Sequence, residues 1–139
     1  MIVLDTNVLS EILRPAPNER PLSWFATQAR SVLFTTTVTR AELLYGVRLL
    51  PAGKRRATLL AAVRDIFSLD MAGRVLAFDD DAADHYAEIA AARKSGGKPI
   101  SQFDAMIAAI AKSRGARLAT RNVKDFANCG IEIIDPWKA

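Results

Sequence analysis

The first eight residues constrain this chain more than any other stretch. Met1-Ile2-Val3-Leu4 is apolar throughout, and Asp5-Thr6-Asn7-Val8 follows it directly. Such a run reads as a buried strand that ends in a polar turn, and open α/β sheets place their ligands just beyond strand ends of this kind. An Asp there also serves as a helix cap by accepting free backbone N–H groups. One acid leaves both readings open. They separate only if other carboxylates arrive at the same place.

Taken in order, the rest of the chain alternates between helical and strand patterns. Asn7–Leu13 reads as a short helix, stopped by Arg14-Pro15-Ala16-Pro17, and 18–29 as a second helix carrying Leu22, Trp24 and Phe25. Ser31–Thr36 is a β-branched strand, 37–46 a helix that Gly46 or Pro51 closes or kinks, and 54–68 a helix with Leu59, Leu60, Val63, Ile66 and Phe67 at helical spacing. Val75–Phe78 is a third strand, and 81–94 a helix ended by Gly96-Gly97. Ser101–Arg114 is the clearest helix, followed by a strand at Arg117–Thr120, a helical turn at Asn122–Phe126 and a last strand at Ile131–Ile134. Strands separated by helices imply a three-layer α/β/α domain with a central parallel sheet of about five strands. With 139 residues and no linker or repeat, 1–139 is expected to be a single domain.

Half the residues are hydrophobic, yet no apolar run reaches the length of a membrane span. A strand opening at Met1 points to a cytoplasmic protein. Cys129 is the only cysteine, which excludes an internal disulfide and a Cys-rich zinc site and leaves it a spectator. The net charge of +4 favours a polyanionic partner.

Three further acids stand where Asp5 stands. Glu42 is expected in the first turn of the helix after the second strand, Asp104 in the first turn of the Ser101 helix, and Asp125 shortly after the fourth strand with Asn122 beside it. In a parallel sheet the turns after the strands open on one edge, so these groups can converge. A purely structural account is also available: Thr39-Arg40-Ala41-Glu42 fits a capping box, and Ser101 to Asp104 and Asn122 to Asp125 are looser versions of it. Convergent carboxylates raise one another's pKa and call for a cation, and oxygen-only sets suit Mg²⁺ or Mn²⁺. No histidine or cysteine set competes, since His85 is the only histidine. Metal-assisted phosphodiester hydrolysis is the chemistry such a site supports. Asp5 and Asp104 would be ligands. Glu42 would hold a metal-bound water, orient the nucleophile or accept its proton, and Asn122 and Asp125 would add an outer ligand or a supporting hydrogen bond. Thr6 and Asn7, from the same turn as Asp5, would orient water or ligands.

These residues resemble those of PIN-domain ribonucleases, in particular the VapC toxins of bacterial type II toxin–antitoxin systems and their FitB-like subgroup. The resemblance is carried by Ile2 to Glu11, by Thr39-Arg40-Ala41-Glu42-Leu43 with Gly46, by Asp104 to Ala109, by Thr120 to Phe126 and by the ending Asn128 to Trp137. It implies an α/β/α sandwich, Mg²⁺- or Mn²⁺-dependent cleavage of RNA (tRNA among the possible substrates), a homodimer, and inhibition by a cognate antitoxin in an assembly on operator DNA. It maps metal-site positions onto Asp5, Glu42 and Asp104. The family's fourth position, acidic in some relatives, is Asn122 here, with Asp125 close by.

An RNA backbone beside an acidic pocket needs cations, and Arg14, Arg40, Arg48, Lys54-Arg55-Arg56, Lys112 and Arg121 are the candidates. Arg121 is the best placed because it adjoins Asn122. Trp24, Phe25 and Tyr45 are expected in the core or at dimer contacts, and Trp24 and Leu44 at an interface. Two rivals remain. One is an Asp-nucleophile phosphatase, disfavoured because Asn7 replaces the second acid. The other is a catalytically weak binding or repressor protein in which the acids only cap helices.

Overall fold

The computed structural model describes all 139 residues. Five strands, β1 (Ile2–Leu4), β2 (Leu33–Thr36), β3 (Val75–Leu76), β4 (Arg117–Ala119) and β5 (Ile133–Ile134), form one sheet in the order β3-β2-β1-β4-β5. Every pairing is parallel, with Leu4 opposite Ala119 and Val3 opposite both Phe34 and Leu118. The chain builds outward from β1 to β3, then crosses back to lay β4 against the other side of β1. That reversal opens a crevice beyond the carboxyl ends of β1 and β4, the place where open α/β sheets bind ligands.

Six helices cover the sheet: α1 (Thr6–Ile12), α2 (Glu19–Thr27), α3 (Thr37–Arg48), α4 (Lys54–Asp65), α5 (Asp80–Ser95) and α6 (Gln102–Ser113). The period-two side-chain alternation of a strand sorts its residues between two cores. Val3 and Leu118 join Ile89, Ile107, Ile110 and Phe126 under α5 and α6. Ile2, Leu4, Leu33 and Ala119 join Val8, Leu9, Val63 and Phe67 under α1 and α4. This is the expected α/β/α sandwich. The close α5–α6 contact follows from alanine: Ala105, Ala108, Ala109 and Ala111 of α6 are fully buried.

Several expected boundaries shift. Strand β2 starts at Leu33 because Arg30–Val32 winds into a 3₁₀ turn. Gly46 does not close α3, which runs on to Arg48. Helix α4 gives way at Ile66 to a π turn, Ile66–Asp70, closed by Met71 N–H donating to the Ile66 carbonyl at 2.7 Å. Asp79 rather than Asp81 starts α5, by accepting from Ala82 N–H. Trp24, Phe25 and Leu44 pack partly buried against the second core, whereas Tyr45 is 66% exposed and is no core residue.

Candidate active site

Asp5 follows β1 directly and Thr120 follows β4, so the pairing of Leu4 with Ala119 sets their side chains together at the crevice. Thr120 Oγ1 donates to Asp5 Oδ2 at 2.8 Å, Asn7 Nδ2 donates to the same oxygen at 3.2 Å, and Thr6 N–H donates to Oδ1 at 2.8 Å. Asp5 therefore does cap α1, with one oxygen, while its other oxygen is held by side chains from two more positions. Thr120 is the hub of this corner. Its hydroxyl also accepts from Asn7 Nδ2 at 3.2 Å and from Asn122 N–H at 3.0 Å.

The second acid reaches the corner through hydroxyls. Thr6 Oγ1 donates to Glu42 Oε1 at 2.7 Å and lies 3.0 Å from Thr39 Oγ1. The capping box expected at Thr39 does not form, because Thr36 is the cap of α3 and accepts from Thr39 N–H. Glu42 thus stands in the second turn, free of capping duty. At α6 the expectation holds for Ser101, whose Oγ accepts from Asp104 N–H at 3.2 Å. The Asn122 box fails: Asn122 makes no side-chain cap bond, and the 3₁₀ turn Val123–Phe126 closes through backbone atoms alone.

Electrostatics ties the acids together. Burial pushes the Asp5 carboxyl up to about 6; the hydrogen bonds from Thr120 and Thr6 oppose this, and the charges of Asp104 and Glu42 add to it. Asp104 is also raised, by its own burial and by Asp125, against the pull of Ser101 and Arg93. A buried carboxylate that its neighbours make harder to ionise is a site short of positive charge. No three acidic, histidine or cysteine side chains are drawn tightly enough around one point to enclose an ion.

The remaining candidates fall into groups. Asn122 and Asp125 are exposed on the loop after β4. The Arg121 guanidinium, from the same loop, stacks over the Trp137 ring at 5.3 Å, a cation–π contact that fixes the charge beside Asn122. Arg14 and Arg55 line a groove of about 650 Å³ that also holds Thr6 and Glu42, whereas Arg48 and Lys54 lie exposed at the α3–α4 corner outside it. Arg40 is turned away to stack on Phe67. Lys112 sits in the last turn of α6, at the far end of the helix from Asp104. His85 has a buried Nδ1 without a partner and takes no part in the cluster. Thr120, Thr36 and Thr39 were not legible as site residues, although Thr120 carries the signal that singles out Asp5: a polar residue immediately after an apolar strand.

The PIN domain family model matches residues 2–131. The chain belongs to the PIN-domain family. The VapC ribonuclease Y4jK of Sinorhizobium fredii is 41% identical to this PIN domain over 138 residues, covering 99% of both chains. Toxin FitB of Neisseria gonorrhoeae is 39% identical over 137 residues, again across 99% of each. The structure of FitAB bound to an IR36 DNA fragment superposes with a TM-score of 0.92 at 39% identity, over 99% of this chain and 96% of that one. This PIN domain is thus similar to VapC and FitB proteins over nearly its full length. Membership of the PIN-domain family, together with Asn7 in place of a second acid, counts against the phosphatase alternative.

Proposed function

We propose that this PIN domain is a divalent-cation-dependent endoribonuclease acting as the toxin of a toxin–antitoxin module. The observation that carries the reading is the buried Asp5 carboxylate, raised to about 6 at the sheet's switch point with Asp104 and Glu42 acting on it. The similarity to a protein named VapC ribonuclease and to another named Toxin FitB supports the reaction and the biological setting.

Asp5 and Asp104 would hold Mg²⁺ or Mn²⁺, with Asn122 or Asp125 as the outer contact. When bound, such an ion supplies charge neutralisation at phosphate and a lowered pKa for water. Glu42 accepts a proton at Oε2, while Oε1 is pinned by the Thr6 hydroxyl. Thr120 and Asn7 keep Asp5 Oδ2 in one orientation, and Arg121 offers a fixed guanidinium to the phosphate. A homodimer, an antitoxin that blocks the crevice, and an assembly of the two on operator DNA belong to the same reading. The similarity to FitAB bound to DNA supports the last of these.

The test is cleavage of a labelled RNA panel that includes tRNA, by purified protein with EDTA, Mg²⁺ or Mn²⁺, alongside Asp5→Asn and Asp104→Asn. Metal-dependent cleavage by the parent alone is expected. Equal cleavage by all three proteins, or none by the parent on any RNA, would overturn the assignment.

A further inference from the structure

Arg93 stands out from the other cations of the chain because it is almost completely buried, at 8% exposure, without an acid to pair with. Its Nε donates to the Lys98 carbonyl at 2.7 Å, and its Nη1 donates to the carbonyls of Asp125 at 2.7 Å and Ala127 at 3.0 Å. Nη2 makes no hydrogen bond to the protein. The guanidinium so held lines a cavity of about 510 Å³ together with Lys98, Lys124, Ala127 and Asn128, three cations and no acid. Bracing the loop after β4 accounts for Nη1, and bracing the α5–α6 connection accounts for Nε. Neither accounts for the unused Nη2, or for two lysines gathered round a charge that forms no salt bridge.

We propose that Arg93, Lys98 and Lys124 form a phosphate subsite for the backbone of single-stranded RNA, flanking the candidate active site; the inference rests on the nuclease reading. The Nη2 N–H groups left over on a fixed guanidinium can donate to a phosphate oxygen, and flanking ammonium groups add charge without demanding geometry. The location fits a strand running through the crevice. Lys124 also lines a second cavity, of about 680 Å³, that contains Arg121, Asn122 and Asp125. The two cavities share Lys124, so Arg121 and Lys124 on the loop after β4 and Arg93 on α5, which braces that loop, present neighbouring cations. The second cavity includes the acids Asp125 and Asp135, whereas the first has none to repel a phosphate. Arg93 is also near enough to Asp104 to act on its charge.

The test is fluorescence anisotropy with a labelled oligouridylate of about 12 nucleotides, in EDTA so that the RNA stays intact, comparing wild-type protein with the double variant Lys98→Ala, Lys124→Ala. Both lysines are exposed and neither side chain bonds to the protein, so the fold is expected to persist, as a melting curve will show. The double variant is expected to bind roughly three- to tenfold more weakly at low salt, the size that two exposed charge contacts carry. The slope of log affinity against log salt should fall by about 1.4, the value for two phosphate contacts on a single strand. An unchanged slope in a protein that still binds RNA would overturn the subsite and leave the nuclease reading standing. Wild-type protein that neither binds RNA in this assay nor cleaves it with metal would overturn both. Competition by poly-glutamate as effective as RNA at equal charge would show that the surface reads carboxylates as well, and would overturn its assignment to phosphate.

Discussion

Asp5 and Asp125 are both acids that follow a sheet strand, yet the protein treats them in opposite ways. Asp5 is 4% exposed and receives hydrogen bonds from three directions, one of them across the β1–β4 pairing. Asp125 is exposed on a 3₁₀ turn, and its side chain makes no hydrogen bond to the protein; Arg93 braces the loop through backbone carbonyls instead. The first acid has its orientation fixed at the expense of solvation. The second keeps its solvation and is free to reorient. A buried carboxylate that must stay ionised is destabilising without a cation, so under the proposed function the Asp5 corner would hold the cation and Asp125 would contribute from an exposed loop.

The largest expected effect comes from removing a fixed acid. Asp5→Asn or Asp104→Asn should reduce metal-dependent RNA cleavage by more than ~100-fold, since losing even a supporting partner of a metal ligand costs about 10–100-fold. Steady-state rates on a labelled RNA will show it. Thr120→Val keeps the shape of the hub and deletes its hydroxyl, leaving Asn122 N–H and one side of Asp5 Oδ2 unpaired. It should lower the apparent metal affinity by roughly 10–100-fold, as read from the Mg²⁺ dependence of cleavage, while Thr120→Ser restores most of it. Asp125→Asn should cost about tenfold or less; a loss as large as that of Asp5→Asn would erase the contrast between the two acids.

The pH dependence of stability sharpens the same contrast. Asp5 has a folded-state pKa of about 6 against 3.8 for the free side chain. The folded protein therefore holds this proton more tightly than the unfolded chain does. The associated stability is fully present below pH 3.8 and is lost as pH rises through 6, a swing of about 3 kcal/mol for this group. Denaturant unfolding of metal-free protein across that window should show the decline, and Asp5→Asn should flatten it. Asp125→Asn removes only the charge that adds to the rise at Asp104 and should relieve the slope far less than Asp5→Asn.

Much of the fold was legible because the apolar segments are short, contiguous and separated by helices, which leaves a parallel sheet as the economical solution. Strand ends were less legible: 31–32 and 131–132 are compatible with extended backbone, yet Arg30–Val32 winds into a 3₁₀ turn, and β5 is confined to Ile133–Ile134 although Glu132 still accepts from Leu118 N–H at 2.9 Å. At the site, Asp5, Glu42 and Asp104 could be picked out as acids near strand ends and helix starts. The reason Glu42 faces Asp5 could not. It depends on Thr36 capping α3, which moves Thr39 inward and places Glu42 one turn later, opposite Thr6. Thr120 stands in a motif that carries the resemblance, but a hydroxyl has no charge to mark it as a site residue, and its role exists only across the β1–β4 register.

The most direct test of the account is the melting temperature of the metal-free protein at neutral pH, titrated with Mg²⁺ or Mn²⁺, for the parent and for Asp5→Asn. The parent should rise with metal, by the increment that saturable binding to the folded state gives: about 2.7 kcal/mol at a hundredfold excess over Kd. Without metal, Asp5→Asn should melt no lower than the parent, because the buried charge is gone, and metal should leave it unmoved. A parent indifferent to both ions, or an Asp5→Asn protein that responds to them as the parent does, would contradict the claim that this corner is a cation site.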